Sequence, residues 1–119
     1  MTALSFTVHE APVPKARARV MAAGWSFTPK RTRDFEAKVR EEAVAAVAAT
    51  PGWRTDVDMR VRVAVYRARR AGDLDNFAKA ITDSMNRIVY EDDRQIRELH
   101  TLLFDDKDDP RALVEVEPL

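Results

Sequence analysis

The clearest pattern in the chain is an alternation of apolar and polar residues between positions 56 and 70. Apolar residues fall on every second position: Val57, Met59, Val61, Val63 and Val65. Successive side chains of a β-strand point to opposite faces. The segment is therefore predicted to be a strand with one face in the core and the other face solvated or used for binding.

Shorter segments with similar alternation predict the rest of a sheet. Strands are expected at 4–10, 95–104 and 112–117, with a hairpin over 19–30 and a polar turn over 105–110. Between them, residues 11–19 form an extended cationic segment that contains two prolines.

Two segments carry apolar residues at helical spacing. The first predicts a helix over 33–49 with Thr32 as its N-cap, and the second predicts a helix over roughly 76–89 with Asn76 or Asp75 as its cap. The chain has 119 residues, which favours one domain over 1–119. The order of elements predicts an α+β fold in which two helices pack on one mixed sheet.

The amino-acid composition limits the classes of protein to which this chain can belong. Hydrophobic residues make up 45% of the chain, which is ordinary for a globular core. No apolar run is long enough to span a bilayer, and the N-terminus lacks the pattern of a secretory signal. The absence of cysteine excludes disulfides and thiolate metal sites and suits a cytoplasmic protein.

The charges divide between the two halves of the chain. Residues 1–70 carry 14 basic and 7 acidic side chains, whereas residues 71–119 carry 6 basic and 13 acidic ones. This asymmetry suits a polyanion partner together with a separate site built of carboxylates. It is equally compatible with two halves that neutralise each other in the fold.

The segment 72–96, GDLDNFAKAITDSMNRIVYEDDRQI, concentrates aspartates on both sides of the second helix. On an extended chain, Asp73 and Asp75 project to the same side, and a loop after the helix could return Asp92 and Asp93 to them. Carboxylates without nearby His or Cys suit Mg²⁺ or Mn²⁺, and the ammonium of Lys79 could stabilise charge on a phosphate. The alternative is that the aspartates are helix caps and turn residues and that Lys79 is a salt-bridge partner.

One more acid follows on the same helix. Asp83 lies one helical turn after Lys79, a spacing that suits either a residue that orients the lysine or an ordinary surface acid.

Taken together, the motifs resemble those of one nuclease family. D-L-D-N-x-x-K at 73–79 and D-D-x-Q-I at 92–96 resemble the RusA family of Holliday-junction resolvases, which are metal-dependent endodeoxyribonucleases. Upstream, PVPKARAR at 12–19 and FTPKRT at 27–32 are similar to the N-terminal pattern of that family. One departure is Ala18, where relatives often have proline.

The resemblance implies a homodimer, of bacterial or phage origin, that binds four-way DNA junctions during recombination and repair. It would nick opposing strands in pairs, using Mg²⁺ or Mn²⁺. By position, the metal-binding carboxylates are Asp73, Asp75 and Asp93, with Asp92 as the alternative to Asp93. Lys79 is the essential lysine.

Basic residues on both sides of the first helix are candidates for binding DNA phosphates: Lys15, Arg17, Arg19, Lys30, Arg69 and Arg70. The alternative interpretation of Lys15, Arg17 and Arg19 is that they lie on a solvated, charged edge strand. A non-catalytic, structure-selective DNA-binding protein of the same fold is the alternative function. A nucleotide phosphohydrolase is disfavoured, because a small substrate does not need so extended a cationic segment.

Overall fold

The chain folds around the strand that the alternating pattern predicts, here β4, Met59–Arg67. The structure is a computed structural model that describes residues 2–15, 19–20, 26–27 and 29–119, with the backbone alone described at 19–20 and 26–27. Two predicted DNA-binding positions fall outside this description: the whole of Arg17 and the side chain of Arg19.

The sheet has four strands and mixed direction. The strands in chain order are β1 (Leu4–Val8), β2 (Arg19–Val20), β3 (Ser26–Phe27), β4, β5 (Ile96–Asp105) and β6 (Arg111–Pro118). Their order in the sheet is β1-β6-β4-β5, while β2 and β3 form a separate antiparallel pair. Only β4 and β5 run parallel, with the second helix as the connection between them. The predicted α+β architecture with a mixed sheet is confirmed.

Both helices begin earlier than predicted. Helix α1, Lys30–Ala48, follows Pro29, whose carbonyl accepts the first helical hydrogen bond from the amide of Arg33 at 3.2 Å. Thr32 is buried within the first turn, so its prediction as the N-cap is wrong. Pro29 has an extended ψ of 147° and provides no side-chain cap, so the helix begins at the next residue, Lys30.

Helix α2, Leu74–Ser84, has Asp73 at its N-cap position, rather than Asp75 or Asn76 as predicted. It also ends five residues earlier than predicted. After Ser84 the chain turns sharply, and Arg87 takes a φ of 66°, a left-handed conformation that a helix cannot continue through. The turn frees residues 85–95 to fold back along α2.

The core lies between one face of the sheet and the two helices. It contains the four odd-numbered residues of β4 from Met59 to Val65, together with Phe35 and Val39 of α1 and Phe77 and Ile81 of α2. Burial of this stripe of α2 turns the opposite side of the helix to solvent. No helix in the described part of the chain is long and apolar enough to cross a membrane.

Candidate active site

The solvent side of α2 carries a row of charged residues. Asp75 lies in the first turn of the helix, and Lys79 and Asp83 follow at intervals of four residues. Residues four apart lie on one face of a helix. Because Phe77 and Ile81 fix the helix against the sheet, these three side chains are held at one solvent-facing edge.

The chain after α2 returns to this edge over a buried tyrosine. Tyr90 is fully buried, and its hydroxyl donates a 2.7 Å hydrogen bond to the carbonyl of Thr82 near the end of α2. Burial, and after it the charges of Asp93, Asp83 and Asp92, raise the pKa of Tyr90 far above its ordinary value. The phenol therefore stays neutral and ties the returning loop to the helix.

Gln95 fixes the acidic part of that loop. Its side-chain oxygen accepts hydrogen bonds of 3.0 Å from the amides of Glu91 and Asp92, and its side-chain nitrogen donates at 2.8 Å to the carbonyls of Thr55 and Val57. One side chain thus joins the loop to the chain before β4. The glutamine of the D-D-x-Q-I motif therefore fixes the position of the acidic loop in this chain.

The two adjacent acids of the loop have different environments. The carboxylate of Asp92 accepts a 2.9 Å hydrogen bond from the amide of Arg94 and caps a short 3₁₀ helix, Asp93–Gln95. This hydrogen bond holds the pKa of Asp92 below its ordinary value. The side chain of Asp93 instead faces α2, which favours Asp93 over Asp92 as the site residue.

Asp75, Lys79, Asp83 and Asp93 line one cleft of about 490 Å³, here called the acid cleft. Leu99 and Thr101 of β5 form part of its wall. Three carboxylates face one ammonium in this space, so the lining carries an excess of two negative charges.

Crowding by other acids affects the pKa of Asp93. Burial raises this pKa, and the neighbouring carboxyl groups of Asp83 and Asp92 raise it further. A carboxylate in such surroundings is short of positive charge. A cation bound in the acid cleft would supply it.

Asp73 lines a different cleft. This second cleft of about 630 Å³, here called the basic cleft, is also lined by four cationic residues: Lys15, Arg31, Arg67 and Arg69. Asp73 has an extended backbone, whereas Asp75 is already helical, so their side chains diverge. The expectation that both project from an extended chain to one side is therefore wrong.

No three acidic or histidine side chains among residues 2–15 and 29–119 are close enough together to hold a metal ion. The structure thus brings Asp75, Lys79 and Asp93 together and leaves Asp73 at the adjoining cleft.

Lys15 is engaged by acids at the boundary of the two clefts. Its Nζ donates to Oε2 of Glu36 at 2.8 Å and lies 3.6 Å from Oδ2 of Asp83. Burial alone would lower the pKa of Lys15, but the two carboxylates outweigh it and the pKa is raised. The backbone amide of Lys15 also donates to the carbonyl of Asn76 at 2.8 Å, which fastens the N-terminal segment to α2.

The other predicted DNA-binding residues are more open to solvent. Lys30 forms an exposed pair with Asp34 at 2.7 Å, Arg70 lies 3.9 Å from Asp105, and Arg69 is exposed at the rim of the basic cleft. Arg67, which sequence reasoning did not select, pairs with Asp105 and donates to the carbonyl of Gly72 at 2.8 Å. It thereby supports the turn just before Asp73.

A comparison with protein families decides the relationship of this chain. The model for Endodeoxyribonuclease RusA matches residues 10–117 of the 119 residues. The chain belongs to the RusA family. The resemblance read from the motifs is confirmed, and membership implies an endodeoxyribonuclease that resolves Holliday junctions. A comparison with curated proteins gave no match.

The two RusA motifs now have structural meaning in this chain. The first block forms the N-terminal half of α2, and the second forms the capped turn that Gln95 holds in place. Sequence reasoning omitted Glu36 and left Asp83 open. The spacing of four residues from Lys79 was the available signal for Asp83, whereas Glu36 lies far from both motifs in sequence.

Proposed function

We propose that this RusA-family chain is a magnesium-dependent endodeoxyribonuclease that resolves four-way DNA junctions by paired nicks in opposing strands, in recombination and repair. The observation that carries the proposal is the convergence of Asp75, Asp93 and Lys79 on one cleft that adjoins a basic cleft. The whole of 1–119 would act as one nuclease unit. Because the substrate is DNA, its place of action would be the cytoplasm of a bacterial cell, whether the gene is bacterial or phage-borne.

The donor set of the acid cleft fits a hard divalent cation. Magnesium usually keeps several waters and binds proteins through one or two carboxylates plus substrate phosphates. Asp75 and Asp93 would supply those carboxylates. Asp73 lines the adjoining cleft, and its side chain would have to turn toward them to act as the third ligand that the motifs predict. The two excess negative charges of the lining equal the charge of Mg²⁺, with Mn²⁺ as the alternative ion.

Each part of the site would have a separate task. A divalent cation there would polarise the scissile phosphate and lower the pKa of a bound water. Lys79, whose side chain is 62% exposed, could reach the same phosphate and stabilise negative charge that develops on it. Arg31 and Arg69 of the basic cleft would hold neighbouring phosphates, a contact that does not depend on base sequence.

A cleavage assay on a synthetic four-way junction tests the proposal. With Mg²⁺ we expect symmetrical nicks in opposing strands, and with EDTA we expect none, because the carboxylates alone cannot activate water. Linear duplex and forked DNA of the same sequence are the controls for structure selectivity. Junction binding without nicking at any divalent ion concentration would instead indicate the non-catalytic DNA-binding protein.

Paired nicking requires two active sites, and the open face of the sheet favours a homodimer. The face opposite the helices exposes Leu102 and Phe104 to 58% and 44%, respectively. A groove of about 740 Å³ runs along it, lined in part by Phe6 and Leu113. We propose that a second copy of this chain covers the face.

Area and charge both suit such a contact. Four strands ~4.8 Å apart and about eight residues long give roughly 500 Å² per copy, or ~1,000 Å² in total, the lower bound of a stable interface. Arg60 and Arg62 on this face are paired with Glu115 and Glu117 within the chain. The face is therefore nearly neutral, so two copies would not repel each other there.

The substitution Leu102→Glu should convert the dimer to a monomer, because it places an unpaired charge at the centre of the contact. Sedimentation equilibrium measures the change in mass, and the junction assay should show single nicks replacing paired ones. Val44→Glu is the matched control, since Val44 is equally exposed on α1, away from the sheet face. An unchanged mass for Leu102→Glu would contradict this interface.

A further inference from the structure

Asp83 lies between a lysine of the acid cleft and a lysine of the basic cleft. Its Oδ2 lies 3.6 Å from Nζ of Lys79 and 3.6 Å from Nζ of Lys15. Asp83 and Asp93 also line the same cleft. Asp83 therefore contacts one residue of the acid cleft, Lys79, and one residue of the N-terminal basic segment, Lys15.

We propose that Asp83 is a positioning residue: it holds Lys79 in place for the reaction and ties it, through Lys15, to the segment proposed to bind DNA. This inference rests on the proposed nuclease function. Asp83 would not touch the substrate itself, because its carboxylate is already shared between its two lysines.

The geometry distinguishes this role from that of an ordinary surface ion pair. Exposed pairs are usually worth ~0–1 kcal/mol because water competes for both partners. The side chain of Asp83 is only 24% exposed, and that of Lys15 only 29%. On its far side Lys15 donates to the buried Glu36, so a continuous chain of contacts runs from α1 to the acid cleft.

Charge balance gives a reason for the arrangement. Glu36 and Asp83 together neutralise Lys15 and Lys79, two carboxylates against two ammoniums. This neutral chain of contacts leaves the carboxylate of Asp75 and that of Asp93 available to a cation. Without Asp83, the ammonium of Lys79 would be free to pair with one of them and so block the site.

The substitution Asp83→Asn tests the proposal, since it preserves shape and removes the charge. We expect the single-turnover rate of junction cleavage to fall ~10–100-fold, an effect similar to that of losing a hydrogen-bond partner that orients a site residue, with junction affinity unchanged within about threefold. Exchange of the Lys15 amide, measured by NMR without DNA or metal, should become about threefold faster or more as the tether weakens.

The matched control is Glu41→Gln, which breaks a lysine pair at 3.7 Å on α1 whose two residues line neither cleft. It should change neither the rate nor the Lys15 exchange. Asp83→Ser is measured in the same way should the Asn variant fail to fold.

Two results would overturn the proposal: a cleavage rate within twofold of the unsubstituted chain, or unchanged exchange at the Lys15 amide. If the unsubstituted chain cuts no junction, the nuclease assignment fails by itself. In that case, exchange of the Lys15 amide still tests the role of Asp83 independently, because it is measured without substrate.

Discussion

Replacing Asp75 by Asn should reduce junction cleavage by roughly 1,000-fold or more, which corresponds to ~4 kcal/mol of lost transition-state stabilisation. The side chain keeps its shape but loses the charge that would hold the cation, and the stabilisation that a metal ion provides is of this size. Binding of the junction should persist and even tighten, because one source of repulsion for the phosphates is gone. The measurements are single-turnover nicking and a gel-shift titration in Ca²⁺.

Asp108→Asn is the control for this experiment, since Asp108 lies in the exposed turn after β5 and lines neither cleft. It should nick at the rate of the unsubstituted chain. A rate for Asp75→Asn that stays within tenfold of that value would remove Asp75 from the metal site. Loss of junction binding would instead assign Asp75 to the interface with DNA.

The substitution with the largest expected effect on stability is Phe77→Ala. Phe77 is buried in the core on α2, and its ring packs against Gly72 so closely that a Cβ at residue 72 would lie 2.8 Å from it. Truncating a buried phenylalanine typically costs ~3–5 kcal/mol, because the apolar transfer energy is lost and a cavity remains. Domains of this size have a free energy of unfolding of about 5–15 kcal/mol, so the substitution would remove a large part of the stability.

Urea denaturation followed by circular dichroism measures this loss. Val44→Ala, at an exposed position of α1, is the control and should change the free energy of unfolding by less than about 0.5 kcal/mol. A loss below about 1.5 kcal/mol for Phe77→Ala would mean that the α2 anchor is loosely packed.

The sequence predicts the central sheet well, because alternation is a local property. The odd residues from Met59 to Val65 point to the core wherever the strand begins, so the pattern identified the buried face correctly. Helix ends were less predictable, since they depend on single backbone angles. The positive φ of Arg87, which prevents α2 from continuing, has no signal in a residue that usually favours helices.

The candidate site was predictable in its residue types but not in its arrangement. The motifs named Asp73, Asp75, Lys79 and Asp93, and three of these line the acid cleft. The direction of the Asp73 side chain depends on where α2 begins, because a shift of two residues along a helix rotates a side chain by more than half a turn. The contact of Lys15 with Glu36 joins positions 21 apart, and no sequence period reveals such a pair.

The hydrogen bonds of the neutral Gln95 amide respond to salt differently from the charged contacts that would bind DNA. Salt weakens the attraction between charged side chains and phosphates, but it has little effect on hydrogen bonds between a neutral amide and backbone groups. The loop that carries Asp93 is held by bonds of the second kind. Ionic strength should therefore govern how long DNA stays bound while leaving the loop that carries Asp93 assembled.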